Sequence, residues 1–140
     1  MTEERRIHKV LLVEDDRSIR ALVTEALHPF DVVVVEVADG RDAIRRALDV
    51  QPDLVLLDIA LPGMNGWDIL AELRALEDTA NVPVIIITAH GQSDWEAAAL
   101  RRGADVFVEK PFRVATLVRQ ITALLDNGRP EASTEVSESS

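Results

Sequence analysis

Glu14, Asp15, Asp58, Thr88 and Lys110 are the residues of this 140-residue chain whose types best suit chemistry, and each ends or just follows a short aliphatic run. Val10 to Val13 ends in Glu14-Asp15-Asp16, Leu54 to Leu57 in Asp58, Val84 to Ile87 in Thr88, and Val106 to Val108 runs into Glu109-Lys110-Pro111. Taken singly, each has an ordinary explanation. Asp16 before Arg17 can cap a helix, a terminal Thr can bond local backbone, and a lone Lys is usually a solvated charge. Together, three carboxylates at one edge of a sheet repel so strongly that one takes up a proton unless a cation intervenes. Asp15, Asp58 and Glu14 therefore form a candidate Mg²⁺ site, because Mg²⁺ takes one or two protein carboxylates and leaves positions for phosphate oxygens. Lys110 then supplies the counterion for an oxyanion. The chain has no Gly-x-x-x-x-Gly-Lys-Ser/Thr loop and no Gly-x-Gly-x-x-Gly after its first run. The inventory suits a phosphoryl group rather than a nucleotide.

The elements that must position these residues follow from periodicity. Five aliphatic runs, Val10–Val13, Val32–Val35, Leu54–Leu57, Val84–Ile87 and Val106–Val108, start at intervals of 22, 22, 30 and 22 residues. Continuous apolar runs read as buried strands of a parallel sheet covered on both faces, and the intervals leave room for crossover helices. Ile19, Leu22, Val23, Ala26 and Leu27 make one helical stripe; Val114, Leu117, Val118, Ile121, Leu124 and Leu125 make another. Asp39 before 40–50, Asn65 before 66–77, and Ser93 with Glu96 three residues on mark further helix starts. Five βα units with right-handed crossovers give an α/β fold, a doubly wound five-stranded parallel sheet with helices on both faces. Ligands of such sheets bind beyond the carboxyl ends of the strands, where the polar residues stand. The helix near Ser93 to Arg102 offers Ala97, Ala98, Ala99 and Leu100 beside one large residue, Trp95, so its anchorage should be weak. Residues 127–140, acidic and Ser-rich towards the end, lack apolar periodicity and read as a disordered tail or linker stub after a single domain at 1–126.

Composition narrows the classes. With 15 Lys plus Arg against 25 Asp plus Glu, the net charge is -10, which argues against direct nucleic-acid binding through phosphate contacts. There is no cysteine, so disulfides, thiolate catalysis and Cys-ligated zinc are excluded. No apolar run approaches the roughly 18 to 20 residues of a membrane span, and the charged start has no signal-peptide h-region. A cytoplasmic protein is expected.

Val10 to Asp16, Asp53 to Asp58, Leu61-Pro-Gly-Met-Asn-Gly66, Ile86-Ile-Thr-Ala89 and Gly103 to Phe112 together resemble the receiver domain of two-component response regulators, over residues 7–126. The resemblance implies a flavodoxin-like strand order 2-1-3-4-5. It implies that Asp58 is the phosphoacceptor, that Glu14, Asp15, Asp58 and the backbone carbonyl of Ala60 hold Mg²⁺, and that Lys110 contacts the phosphoryl group. Thr88 matches the switch hydroxyl, Phe107 the aromatic switch, and Pro111 a proline commonly joined through a cis bond. Ala60 and His90 depart from the commoner residues at positions that influence how water reaches the phosphoryl group.

What the resemblance implies is a phosphoacceptor signalling protein and not an enzyme in the usual sense. It would take a phosphoryl group from a histidine kinase or phosphotransfer protein and signal by contact through the face of the fourth helix, fifth strand and fifth helix. The downstream protein target is open, and a second copy of the chain is a further candidate partner on phosphorylation. Three outputs stand: a stand-alone receiver, a relay intermediate passing phosphate to a histidine phosphotransfer protein, and the receiver part of a longer regulator. A Mg²⁺-dependent phosphatase with an Asp nucleophile fits less well, because the Asp-x-Asp pair of such enzymes is Asp58-Ile-Ala60 here. Arg101, Arg102, Asp105, Glu109, Arg113 and Arg119 read either as a contact face or as scattered surface charge.

Overall fold

A run of aliphatic residues is stable as a strand only where both of its faces are covered. The structure, a computed structural model, describes residues 6–89 and 94–129. Its strands are β1 (His8–Val13), β2 (Val32–Val37), β3 (Leu54–Asp58), β4 (Val84–Thr88) and β5 (Val106–Glu109), all parallel, in the order β2-β1-β3-β4-β5. The helices are α1 (Arg17–Leu27), α2 (Ala43–Val50), α3 (Gly66–Ala75), α4 (Trp95–Arg101) and α5 (Val114–Asn127). Alternate side chains divide the core in two. Leu11, Val13, Val55, Leu57, Val84 and Ile86 pack under α2, α3 and α4, while Val10, Leu12, Leu54, Leu56, Ile85 and Ile87 pack against Val23 and Leu27 of α1 and Leu117 and Ile121 of α5. Each such side chain contributes roughly 1.5–3 kcal/mol by leaving water. The expected strand order and two-sided helical cover are therefore found.

Three details differ from the sequence reading. Only β1, β3 and β4 are buried along their aliphatic runs; β2 and β5 are the sheet edges, and Val33 is 50% exposed. Leu22, counted in the apolar stripe of α1, lies exposed, because the turn that buries Val23 and Leu27 carries it outward. The second helix begins with a 3₁₀ turn at Gly40–Asp42 under Asp39, whose carboxylate accepts from the Arg41 N–H, and α3 stops at Ala75, short of Glu77. The other expected starts are made as capping requires. Asp16 accepts from the N–H groups of Ser18 and Ile19, and Asn65 from that of Trp67. Gly66 opens α3 because a Cβ there would lie 2.3 Å from the Ile59 Cα. The Ser93 cap, His90 and tail residues 130–140 lie outside the described residues.

The weakly anchored helix is held by aromatic contact. Ala99 is the buried residue of α4; Trp95 at its start meets Trp67 of α3 edge-on, with ring centroids 5.9 Å apart and planes at 80°. Arg102, at its other end, places its guanidinium 4.9 Å from the centre of the same Trp67 ring. An edge-to-face pair contributes about 0.5–1.5 kcal/mol and an exposed cation–π contact about 0.5–1 kcal/mol.

Asp105 is no part of a contact face. Its side chain is 5% exposed and lies between two guanidinium groups, Arg74 Nη2 at 3.2 Å and Arg129 Nε at 2.8 Å, and it accepts from the Val84 N–H at 2.9 Å. Arg74 also donates to the carbonyls of Gly103, Ala80 and Val82. Burial, with the facing charge of Arg129, holds the Arg74 guanidinium down at about 10, still cationic at neutral pH. Asp105→Ala is expected to cost about 3 kcal/mol, since it leaves two guanidinium groups facing each other and orphans a backbone N–H at the start of β4. Urea unfolding measures this; a loss below 0.5 kcal/mol, in order-of-magnitude terms a surface value, would return Asp105 to the scattered surface charges.

Candidate functional site

Strand register brings the polar ends together. Val13 pairs with Leu57 across β1 and β3, so Glu14 and Asp58 come side by side; Asp58 pairs with Ile87, and Thr88 with Glu109. Lys110 leaves β5 with its N–H donating to the Thr88 carbonyl at 2.9 Å, through a Lys110–Pro111 bond that is cis. Glu14, Asp58 and Thr88 are buried, whereas Asp15 and Ala60 are exposed at the mouth.

The contacts form one network. Lys110 Nζ lies 2.9 Å from Asp58 Oδ2 and 2.8 Å from Glu14 Oε1. Asp58 Oδ1 accepts from the Ala60 N–H at 2.8 Å, and Glu14 Oε2 from the Asp16 N–H at 3.0 Å. Burial raises the Glu14 carboxyl above the usual carboxylate range, against the nearby Lys110 ammonium and the hydrogen bond from the Asp16 N–H and with some help from the charge of Asp58. Burial also works to lower Lys110, but Glu14 and Asp58 outweigh it and the ammonium ends raised. Lys110 therefore holds a positive charge against the Asp58 carboxylate.

Thr88 ends β4 at the floor of the site. Phe107, beside Ile86 in the register, is half-buried against the core layer under α3 and α4. Arg20 is a functional neighbour that sequence reading missed. Its Nη1 donates to the carbonyls of Glu14 at 2.8 Å and Asp15 at 3.1 Å, and its Nε to Glu36 at 3.1 Å, pinning the acidic turn from α1. The signal available was its place one turn after the Asp16 cap. A groove of about 290 Å³ opens from Asp15 past Asp39 and Arg41 to Leu61 and Pro62. A cavity of about 440 Å³ at the other end of the sheet, lined by Arg6, His8, Phe30 and Asp126 among others, is remote from this chemistry.

The donor set fits Mg²⁺. Glu14, Asp15 and Asp58 each offer a carboxylate oxygen, all within 4.8 Å of one another. Glu14 Oε1 is buried without a hydrogen bond: Lys110 is close enough for an ion pair there but not aligned to donate. An all-oxygen cluster with one solvent-facing carboxylate suits a hard cation that keeps part of its water shell.

A model of the response regulator receiver domain family matches residues 10–122. The chain belongs to that family. It is 39% identical over 117 residues to the transcriptional regulatory protein HprR of Escherichia coli, covering 84% of this chain and 51% of HprR. To the transcriptional regulatory protein PrrA of Mycobacterium tuberculosis it is 36% identical over 131 residues, covering 94% of this chain and 54% of PrrA. This receiver thus spans about half the length of these curated relatives. The chemotaxis response regulator CheY4 of Vibrio cholerae superposes with a TM-score of 0.78 at 27% identity, over 85% of this chain and 99% of that one. The receiver is a signalling domain of two-component systems, in which response regulators receive signals from histidine kinases, and receivers bind Mg²⁺ at an acidic cluster. Among the described residues no helix is long and apolar enough to cross a membrane.

Proposed function

We propose that this receiver accepts a phosphoryl group on Asp58 from a phosphohistidine of a histidine kinase. The reading is carried by a buried strand-end carboxylate with an N–H on one oxygen and an ammonium on the other. An Asp58 oxygen forms the new P–O bond in line with the breaking P–N bond, whose electron pair leaves on the imidazole. Positioning and charge neutralisation do most of the work in such transfers. The Ala60 N–H fixes the rotation of the carboxylate, and Lys110 exchanges its bond to Asp58 for one to a phosphoryl oxygen while keeping Glu14. Glu14, Asp15, Asp58 and the Ala60 carbonyl would hold Mg²⁺, which when bound supplies the remaining positive charge on the equatorial oxygens. Thr88 is the hydroxyl that follows the new oxygens, and Phe107 turns into the space it vacates, shifting the α4–β5–α5 face towards a second population.

Two outputs each have an observation in favour. The match to CheY4 over nearly its whole length favours a receiver that signals by protein contact, whereas the half-length match to HprR and PrrA favours one that controls a further domain. Incubation with acetyl phosphate should give one phosphorylated species on a phosphate-affinity gel in millimolar Mg²⁺ and none in EDTA. A folded protein with no shift in either condition would sink the reading.

A further inference from the structure

The two tryptophans of the chain, Trp67 and Trp95, are in contact with each other, and they stand at the starts of α3 and α4, the helices that follow Asp58 and Thr88 in the chain. Trp67 follows the loop that starts at Asp58, and the Asn65 side chain receives its N–H where that loop becomes α3. Trp95 is the first residue of α4, the helix that follows Thr88. Arg102, just past the last residue of α4, rests on the same Trp67 ring. Both ends of α4 are thus fastened to one side chain of α3, while the helix itself buries little more than Ala99.

Resting on the Asp58 reading, we infer that Trp67, Trp95 and Arg102 form a clasp that holds α4 in the arrangement where Lys110 bonds the Asp58 carboxylate directly, and so set how readily the receiver takes the phosphoryl-bound arrangement. The three are positioning residues, acting through the placement of α4 on α3. If α4 moves when Thr88 follows the phosphoryl oxygens, the ring contact at its start and the cation–π contact at its end must break. The free energy of the clasp then opposes loading. A clasp of this kind works as a brake, and weakening it makes the loaded form easier to reach, the opposite of what damage to a merely structural contact does.

The test titrates beryllofluoride, a stable mimic of the phosphoryl group, into the full chain in saturating Mg²⁺, following binding at Asp58 by ¹⁹F NMR and the two tryptophans by fluorescence. The native protein should change its emission as it loads. Trp95→Ala should lower the half-saturating concentration about fivefold and Arg102→Ala about twofold, while Trp95→Phe, which keeps an aromatic edge, stays near native. Arg102 is exposed, so its variant carries the test if Trp95→Ala does not fold. Loading with native midpoints in the Ala variants, or with no change in native emission, would overturn the clasp and leave the Asp58 reading standing. No loading of the folded native protein would overturn both.

Discussion

Asp58→Asn is expected to fold normally and to take up no phosphoryl group from acetyl phosphate at any Mg²⁺ concentration, with incorporation below about 1% of native. The amide is nearly isosteric, but its oxygen is a poor nucleophile and carries no charge to bind a cation. Stability should move the other way. Two buried carboxylates, Glu14 and Asp58, share the single ammonium of Lys110, and the charge of Asp58 adds to the rise of the Glu14 carboxyl. Removing the Asp58 charge leaves one carboxylate facing one ammonium, so the variant should gain between about 0 and 2 kcal/mol in urea unfolding measured in EDTA. A gel shift retained in the variant would move the acceptor to another residue. A variant clearly less stable than native would mean that the Asp58–Lys110 bond outweighs the repulsion it relieves.

The legible part of this fold was the part written in local pattern. The aliphatic runs that became β1, β3 and β4 and the polar residues ending them were visible because a doubly covered strand must be apolar throughout, and its terminus is where a ligand can reach. Asp16, Asp39 and Asn65 were visible as caps because an orphan N–H needs a nearby acceptor. What stayed hidden depended on pairing between distant elements. Val33 sits in as continuous an aliphatic run as Val55, yet one lies at a sheet edge and the other at the centre, and strand order separates them. Asp105 looks like a surface charge in sequence; Arg74 and Arg129, 31 and 24 residues away, make it a buried ion pair. The Trp67–Trp95 contact was hidden for the same reason, whereas Arg20 lay within one turn of the Asp16 cap. The resemblance supplied the roles of Thr88 and Phe107, which burial alone would class as core.

Lys110→Met tests the same triad from the opposite side, keeping side-chain volume and removing the only positive charge that the described residues place on Asp58 and Glu14. Two carboxylates, with side chains 5% and 1% exposed, would then face each other without compensation. Breaking a buried pair by deleting one partner typically costs 3–5 kcal/mol, and a loss of about 3 kcal/mol is expected here in EDTA, since Asp15 at the exposed mouth lets water in. Mg²⁺ should restore much of it, because a cation held by the native state stabilises by about 2.7 kcal/mol at a hundred times its Kd, and the site now has more unbalanced negative charge to offer. Phosphotransfer should not recover with it. On the proposed reading Lys110 supplies its charge to a phosphoryl oxygen, and losing one such preorganised group costs about 10²–10³ in rate. Urea unfolding with and without Mg²⁺, beside the rate of acetyl phosphate incorporation, separates these effects. If Mg²⁺ restored both stability and rate, Lys110 would be only a charge holding the site together; if stability in EDTA were unchanged, the buried carboxylates would have to be relieved by a proton instead.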